Sequence, residues 1–561
     1  MAKHHDALLE AADAIRDGLV VAVKGIGGFH LMVDACSEGA VLRLRRLKKR
    51  EEKPLAVMFP SLKEVIWICH VADIEKRLLT SPESPIVLLR RKIGSGDIAD
   101  SVAPGNPNLG VLLPYSPLHH ILMAKLGIPI VATSGNLSEE PICVDEREAM
   151  ARLGGIADLF LIHDRPIARP VDDSVTRIMA GREAVIRRAR GYAPMPIHVN
   201  HAIPKILAVG GHLKNTVAIA VDQEIFPSQH IGDLENVQTY EVFEKTIESF
   251  RKLYEFDPEA IICDEHPGYM STNYAMKSGL PVQKVQHHQA HILACMAENE
   301  LSPPLLGVAW DGTGYGLDGT IWGGEFFGVT EEGFKRAAYF KPFRLPGGEM
   351  AIKEPRRTAI GLLFETFGDR LADMKDLKPI RSFLETEYRI LTEMLEKGIN
   401  SPFTTSAGRL FDAIASIIGV RQETHYEGQA AMELEFALDP DVLREYYKFE
   451  LDKNGSVIVI DWRPMIAEII ADLKMEITVN LISAKFHNAM AEIIVSIAKS
   501  INERKVVLSG GCFQNKYLVE KTIARLNETG FQPYWHQRVP PNDGGIALGQ
   551  IMAEIFPNRG K

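Results

Sequence analysis

The chain has 561 residues, 46% of them apolar and 24% charged, with a formal net charge of −10. That length exceeds a single hydrophobic core and implies roughly three or four packing units, and the ordinary composition excludes disordered, collagen-like and disulfide-scaffold classes. The acidic balance argues against a broad nucleic-acid surface; no stretch reads as a signal peptide or membrane span, so the expectation is a cytoplasmic protein with neither nucleic acid nor membrane as partner.

From the N-terminus, helical and strand patterns alternate: helix over 6–17, strand 19–24, helix 40–50, strand 55–59, helix 62–70, strand 86–91, helix 119–126 and strand 128–132. Such alternation predicts an α/β domain over 1–198, closed by a linker at 191–198 where Pro194 and Pro196 break the periodicity. Beyond it lies a weak internal repeat with a spacing of about a hundred residues. Residues 206–211 lead to 214–220, and 306–311 lead to 321–328, each as strand, polar turn, strand. Two such hairpins facing each other across a cleft predict a two-lobed actin-like domain over 199–561, with lobes of about 199–300 and 301–561; chance likeness of two hairpins is the competing explanation. A helix over 286–298 precedes the second hairpin. Helices follow over 356–397, 407–419 and 481–502, then a strand at 506–508 and a closing helix at 546–555. The six cysteines (Cys36, Cys69, Cys143, Cys263, Cys295 and Cys512) include no Cys-x2-Cys pair, so most are expected to be reduced core side chains.

Two groups of residues in the first domain carry chemistry. Lys48, Arg50 and Lys53 end a helix just before an apolar strand. A charge run is usually a solvated face, yet cations at that place can hold a triphosphate, arginine as a bidentate fork and lysine as a point charge. Thr133, Ser134 and Asn136 follow the strand over 128–132, at the carboxyl end where open α/β sheets bind ligands; a helix cap is the alternative. Arg188, in the run Arg187-Arg188-Ala189-Arg190, adds positive charge to the same pocket. No nucleophile or base stands out. The domain is therefore expected to bind ATP and a small acid side by side, with cations stabilising the leaving pyrophosphate.

In the second part, His287 and His291 are four apart and leave one helix face together. Alone, the pair is more often a polar helix start than a metal site. Its company changes that reading: Asp311-Gly312-Thr313-Gly314, Ser509-Gly510-Gly511 and Asn542-Asp543-Gly544-Gly545 each read as an apolar strand running into a glycine turn whose amides can approach phosphate. His287, His291, Asp311 and Asp543 are the expected ligands of one divalent metal, and imidazole with carboxylate suits iron or zinc better than magnesium. The helix over 546–555 should aim its positive N-terminus at an anion admitted by Gly544 and Gly545.

These motifs are recognisable together. Lys24-Gly25-Ile26-Gly27-Gly28-Phe29-His30-Leu31, Lys48-x-Arg50 with Lys53-Pro54, Thr133-Ser134-Gly135-Asn136 and Asp172-Asp173-Ser174-Val175 resemble a YrdC-like domain. His287-His288-Gln289-Ala290-His291, Ser509 to Asn515 and Asn542-Asp543-Gly544-Gly545 resemble the metal- and nucleotide-binding domain of the universal tRNA threonylcarbamoyl transferases. Joined in this order, they resemble the carbamoyltransferase family of NiFe-hydrogenase maturation over essentially the whole chain.

That resemblance implies an α/β fold, a YrdC-like domain followed by a two-lobed actin-like ATPase-type domain, and a two-site relay. Carbamate derived from carbamoyl phosphate would be joined to the AMP part of ATP, taken with magnesium. The carbamoyl group would then pass to the C-terminal cysteine thiol of the partner HypE, as precursor of a cyanide ligand. It implies catalytic roles for Lys48, Arg50, Lys53, Ser134 and Asn136, and nucleotide contacts from Lys48, Arg50, Thr133, Ser134, Asn136 and Arg188. In the second domain it implies nucleotide contacts from Lys214, Asp412, Gly428, Glu433, Gly510, Gly511 and Asn515, with Lys214 facing the phosphate from the opposite lobe. Family members carry an acylphosphatase-like domain and a Cys-x2-Cys zinc region ahead of the YrdC-like part. The chain has neither, so slow turnover from carbamoyl phosphate alone is expected. Rival readings are a small-molecule O-carbamoyltransferase, a tRNA threonylcarbamoylation enzyme and a non-catalytic actin-like ATPase module.

Overall fold

The computed structural model describes residues 2–94, 96, 98–137, 140–438, 444–453 and 455–556. Its first sheet holds β1 (Val21–Lys24), β2 (Phe29–Asp34), β3 (Ala56–Met58), β4 (Ile86–Arg90), β5 (Asn108–Leu112), β6 (Ile130–Ser134), β7 (Leu159–Leu161), β8 (Val175–Met179) and β9 (Arg182–Arg187), in the order β7-β1-β2-β6-β3-β5-β4-β8-β9. Val20 and Ala22 point into one apolar cluster, Val21 and Val23 into another, so the sheet is covered on both faces. Burial on both faces also hid β2 from pattern reading, because a strand covered on each side shows no alternation.

The second sheet contains β10 (Ile197–Ile203), β11 (Ile206–Ala208), β12 (Ala218–Pro227), β13 (Ala260–Asp264) and β14 (Val282–Val285), ordered β10-β12-β11-β13-β14. The third is built on β15 (Leu305–Tyr315), β16 (Ile321–Thr330), β17 (Gly333–Phe340), β18 (Phe343–Arg344), β19 (Phe403–Thr404), β20 (Glu450–Asp452), β21 (Ile458–Asp461), β22 (Lys505–Ser509) and β23 (Gln532–Trp535). Its main path runs β20-β21-β17-β16-β15-β22-β23. Both sheets contain an antiparallel hairpin followed by two parallel strands, β12-β11-β13-β14 and β16-β15-β22-β23. The hairpin likeness in the sequence is the visible edge of this topological repeat.

Two helices cross between these sheets. His287–Glu298 packs on β15 and β22 of the third sheet, while the closing helix Ile546–Ile555 packs on β11, β12 and β13 of the second, and the two helices lie against each other. Their approach depends on Gly549, where an added Cβ would overlap the Ala290 carbonyl oxygen. Relief of that overlap requires the helices to separate, so Gly549→Ala is expected to destabilise the fold by about 3 kcal/mol, read as a lower thermal unfolding midpoint.

Three expectations need correction. The helix over 356–397 is broken into Pro355–Phe367, the 3-10 turn Gly368–Asp373, Lys378–Arg381 and Glu385–Lys397. Gly368, at φ 55, ends the first helix, and Pro379 starts a new one, where its missing N–H costs nothing. The segment 191–198 is not wholly linker, since β10 begins at Ile197. A membrane-compatible helix does exist by length and composition, Val479–Ile501, but 83% of its apolar window is buried inside the protein, as in a core helix.

The first sheet is not an independent body. Met179 and Ala184 of the β8–β9 hairpin belong to the same apolar cluster as Phe326, Phe411 and Phe513 of the third-sheet lobe. The Val185 amide donates to Gln537 O at 2.8 Å. This seam sets the β8–β9 hairpin of the first sheet against the third-sheet lobe.

Candidate active site

The metal-ligand candidates come from three elements. Gln286 caps the helix His287–Glu298, its side-chain oxygen accepting from the His288 and Gln289 amides at 2.8 and 3.1 Å. One turn apart on that helix, His287 and His291 are almost fully buried. Asp311 does not sit in a turn after its strand, as expected. β15 continues to Tyr315, with a register shift between Trp310 and Gly314, and the chain reverses only at 316–320. Asp311 lies at this bulge, a feature that re-aims side chains. Asp543 opens the 3-10 turn before the closing helix.

These donors converge. Asp311 Oδ2 is 3.5 Å from His287 Nε2 and 3.2 Å from His291 Nε2, and Asp543 Oδ1 is 3.7 Å from each. All four ligand atoms lie within 4.8 Å of one another. His287 Nε2 is buried without a well-formed hydrogen bond, whereas its Nδ1 is 2.8 Å from Asp264 Oδ2. An outer carboxylate on the far ring nitrogen is the usual support of a metal-ligating histidine, so the donor set fits a transition-metal ion. Burial disfavours a charged His287, but Asp543, Asp264 and Asp311 outweigh it and hold its pKa well above the ordinary value. A bound metal would take the place of that proton in balancing the carboxylates. Asp264 escaped sequence reading because it is simply the last residue of an apolar strand. Asp264→Asn is expected to weaken metal binding about 10–100-fold, measured by competition with a chelator.

Behind this centre stands an arrangement that mimics a hydrolase triad. Ser509 Oγ is 2.7 Å from His536 Nε2, and His536 Nδ1 is 2.5 Å from Glu298 Oε1. Ser509 is fully buried, however, and its hydroxyl donates to His291 O at 2.7 Å. It braces the metal helix and is not exposed as a nucleophile.

Of the first-domain candidates, Arg50, Lys53, Thr133 and Ser134 form the facing wall, with Lys48 and Asn136 behind them. Lys48 Nζ donates to Ser134 O, and to Asn136 Oδ1 at 2.7 Å; the Ser134 hydroxyl donates to the same Oδ1 at 2.7 Å. Arg50 donates to Pro54 O at 2.5 Å and approaches Thr133 Oγ1 at 3.5 Å. Burial, then the neighbouring Arg50, pushes Lys48 well below the usual lysine range; burial, then Arg45 and Arg187, lowers Arg50 to about 10. A crowd of buried cations of this kind is relieved by a polyphosphate.

One cavity of about 470 Å³ joins the two walls, lined by Arg50, Lys53, Thr133 and Ser134 on one side and by Lys214, Gly428, Gly511 and Asn515 on the other. The Gly511 amide donates to Asp311 Oδ1 at 3.1 Å, which ties this cavity to the metal centre. Gly510 takes φ 102, and a Cβ there would overlap the Trp310 backbone, so it serves chain passage beneath the loop. Asn515 caps the helix Lys516–Glu528 and its amide nitrogen lies 2.9 Å from His487 Nε2. Lys214 pairs with Glu427; burial lowers its pKa, but Glu427 and Asp543 raise it further.

Six predicted contacts are not among the cavity-lining residues: Lys48, Asn136 and Gly510, placed above, and Arg188, Glu433 and Asp412. Arg188 is buried and donates to Pro227 O at 2.9 Å and Met195 O at 2.5 Å, whereas Arg187 lines the cavity, because successive residues of extended chain face opposite ways. Glu433 pairs with Arg421 at 2.5 Å, and the cavity-lining acid of its helix Gln429–Ala437 is Glu435. Asp412 lies 2.8 Å from Arg409; burial pushes its carboxyl up to about 6, with Arg409 opposing. Arg187, Glu427 and Tyr426, all at the cavity, had no sequence signal beyond their charge or ring.

Comparison with known proteins agrees with this layout. Residues 13–189 match the family profile described as telomere recombination, that of the Sua5, YciO and YrdC proteins. Residues 201–298 match the HypF Kae1-like domain, and 307–550 match "Carbamoyltransferase, Kae1-like Domain, second subdomain". A carbamoyltransferase HypF of Synechocystis sp. is 46% identical over 99% of this chain and 74% of its own length. A solved full-length HypF in a phosphate- and nucleotide-bound form has 44% identity and a TM-score of 0.92, covering 98% of this chain and 86% of that one. The HypF structure from T. kodakarensis has 34% identity and a TM-score of 0.91, with 98% and 73% covered. Over 26% of the chain, in one aligned stretch, a threonylcarbamoyl-AMP synthase of Vibrio cholerae is 30% identical, with 80% of that protein covered.

A YrdC-like domain closed against a two-lobed Kae1-like domain defines an ATP-dependent carbamoyltransferase. The chain belongs to the HypF family of carbamoyltransferases, which serve hydrogenase maturation.

Proposed function

We propose that the protein forms carbamoyl-adenylate at the first-domain wall and transfers its carbamoyl group, within the same cavity, to a cysteine thiol. The observation that carries this reading is the cavity that Arg50 and Lys53 share with Lys214 and Gly511. In the first step a carbamate oxygen bonds to the α-phosphorus of ATP and the bond to pyrophosphate breaks. Lys48, Arg50 and Lys53 take up the charge that grows on the leaving pyrophosphate, while Thr133, Ser134 and Asn136 orient the reacting ends. In the second, the acceptor thiol loses its proton to solvent, its sulfur bonds to the carbamoyl carbon, the bond from that carbon to the phosphate oxygen breaks and AMP leaves, its phosphate received by Lys214. A divalent metal, iron or zinc, held by His287, His291, Asp311 and Asp543 would supply Lewis-acid chemistry beside the carbamoyl group. Enclosure matters because the mixed anhydride is consumed by water.

Support comes from the nucleotide-bound HypF relative and from the threonylcarbamoyl-AMP synthase likeness of the first domain. Carbamoyl phosphate or carbamate is the donor in this reading, the C-terminal cysteine of HypE the acceptor, and the cytoplasm the place of action. ATP–pyrophosphate exchange tests it. Exchange that depends on carbamoyl phosphate or carbamate is the expected result, and its absence with either donor would remove adenylation from the account.

A further inference from the structure

We propose that Arg421 and Gln429, which belong to the transfer domain, are positioning residues for the adenylation step, acting through Glu52. The inference rests on the first-domain wall being the adenylation site. The helix Glu38–Lys48 ends at Lys49, in the left-handed region at φ 52, and residues 50–53 run on as a short connection before β3. Arg50 and Lys53 of this connection face the shared cavity. The two acids between them engage the other domain. Glu52 Oε2 is 3.0 Å from Arg421 Nη1, Gln429 Nε2 donates to the same carboxylate, and Glu51 Oε2 is 3.1 Å from His425 Nδ1.

The connection is therefore held from two directions. Inside its own domain, Arg45 Nη1 donates to the carbonyls of Arg50, Glu51 and Lys53 at 3.0, 2.9 and 3.2 Å. Those bonds hold the backbone of the segment from inside its own domain. Across the seam, Arg421 is itself immobilised by Glu433, through Nε at 2.8 Å and Nη2 at 2.5 Å, and Gln429 Nε2 donates to Glu433 at 3.0 Å. Glu433 thus acts in the clamp that orients Arg421 toward Glu52.

A lone exposed ion pair contributes little, but this is a partly buried network of four groups whose side chains are 18 to 31% exposed at Glu433, Arg421 and Glu52. Its effect is felt as geometry. Small displacement of Arg50 and Lys53 from the triphosphate costs rate and affinity steeply. Tyr426, Glu427 and Gly428, between Arg421 and Gln429 in sequence, line the cavity, so the same segment borders both the cavity and Glu52.

The test uses the full chain and ATP–pyrophosphate exchange with saturating carbamoyl phosphate or carbamate, whichever supports exchange. Glu52→Gln, Arg421→Met and the double variant are compared with the parent. Each single change is expected to raise the KM for ATP about tenfold with a smaller effect on kcat, and the double variant to be no worse than the worse single one, as for two groups in one contact. Parent exchange with an unchanged KM in Glu52→Gln would overturn the proposal, and so would strictly additive effects. Should Arg421→Met fail to fold, Glu52→Gln with Gln429→Leu carries the same comparison. No exchange in the parent itself would instead defeat the adenylation reading beneath it.

Discussion

His287→Ala abolishes carbamoyl transfer to the acceptor while ATP–pyrophosphate exchange continues at the parent rate. The separation follows from position: His287 is fully buried in the cleft of the lobes, joined to Asp264 on one ring nitrogen and facing Asp311 and Asp543 with the other. Alanine removes one of four donors and leaves the Asp264, Asp311 and Asp543 carboxylates without the imidazole between them. Loss of a group that stabilises developing charge typically costs on the order of 10²–10³ in rate, and loss of the metal as well takes transfer below detection. Metal content measured on the purified variant should fall together with transfer. If transfer survives in a metal-free variant, the centre is structural.

Arg50→Met produces the mirror image. Exchange falls by about 10²–10³, while metal content and transfer from supplied carbamoyl-adenylate persist. The guanidinium lines the cavity beside Thr133, and burial with Arg45 and Arg187 has already lowered its pKa to about 10, so its charge is held where a polyphosphate gains most from it. Mixing the two variants asks whether adenylate escapes: with one cavity serving both sites, complementation should be poor, because free adenylate meets water before a second molecule. Efficient complementation would argue for release between steps.

The motifs were legible in the sequence wherever chemistry restricts the residue type. A pair of histidines one helical turn apart, aspartates beside glycines, and cations before an apolar strand each announce themselves locally. Their faces were less legible. Arg187 and Arg188 have the same composition signal, and only the run of the chain after β9 decides which one meets the cavity. Glu433 and Glu435 differ in the same way on the helix Gln429–Ala437, one turned to Arg421 and the other to Arg177. The glycines after Asp311 suggested a turn, yet pairing with β16 resumes at Gly314 after the bulge, since partner strands override local turn preference.

By itself, the sequence determined the α/β class, the division between a first domain and two repeated lobes, and the identity of the four metal-ligand candidates, because periodicity and side-chain chemistry are local properties. Tertiary structure alone decided that helix His287–Glu298 lies on the opposite lobe's sheet, that Asp264 stands behind His287, and that Arg50 and Lys53 line one cavity with Lys214 and Gly511. Those facts depend on contacts between residues far apart in the chain, such as Glu52 with Arg421, and such contacts form only once burial of the shared core has brought the domains together.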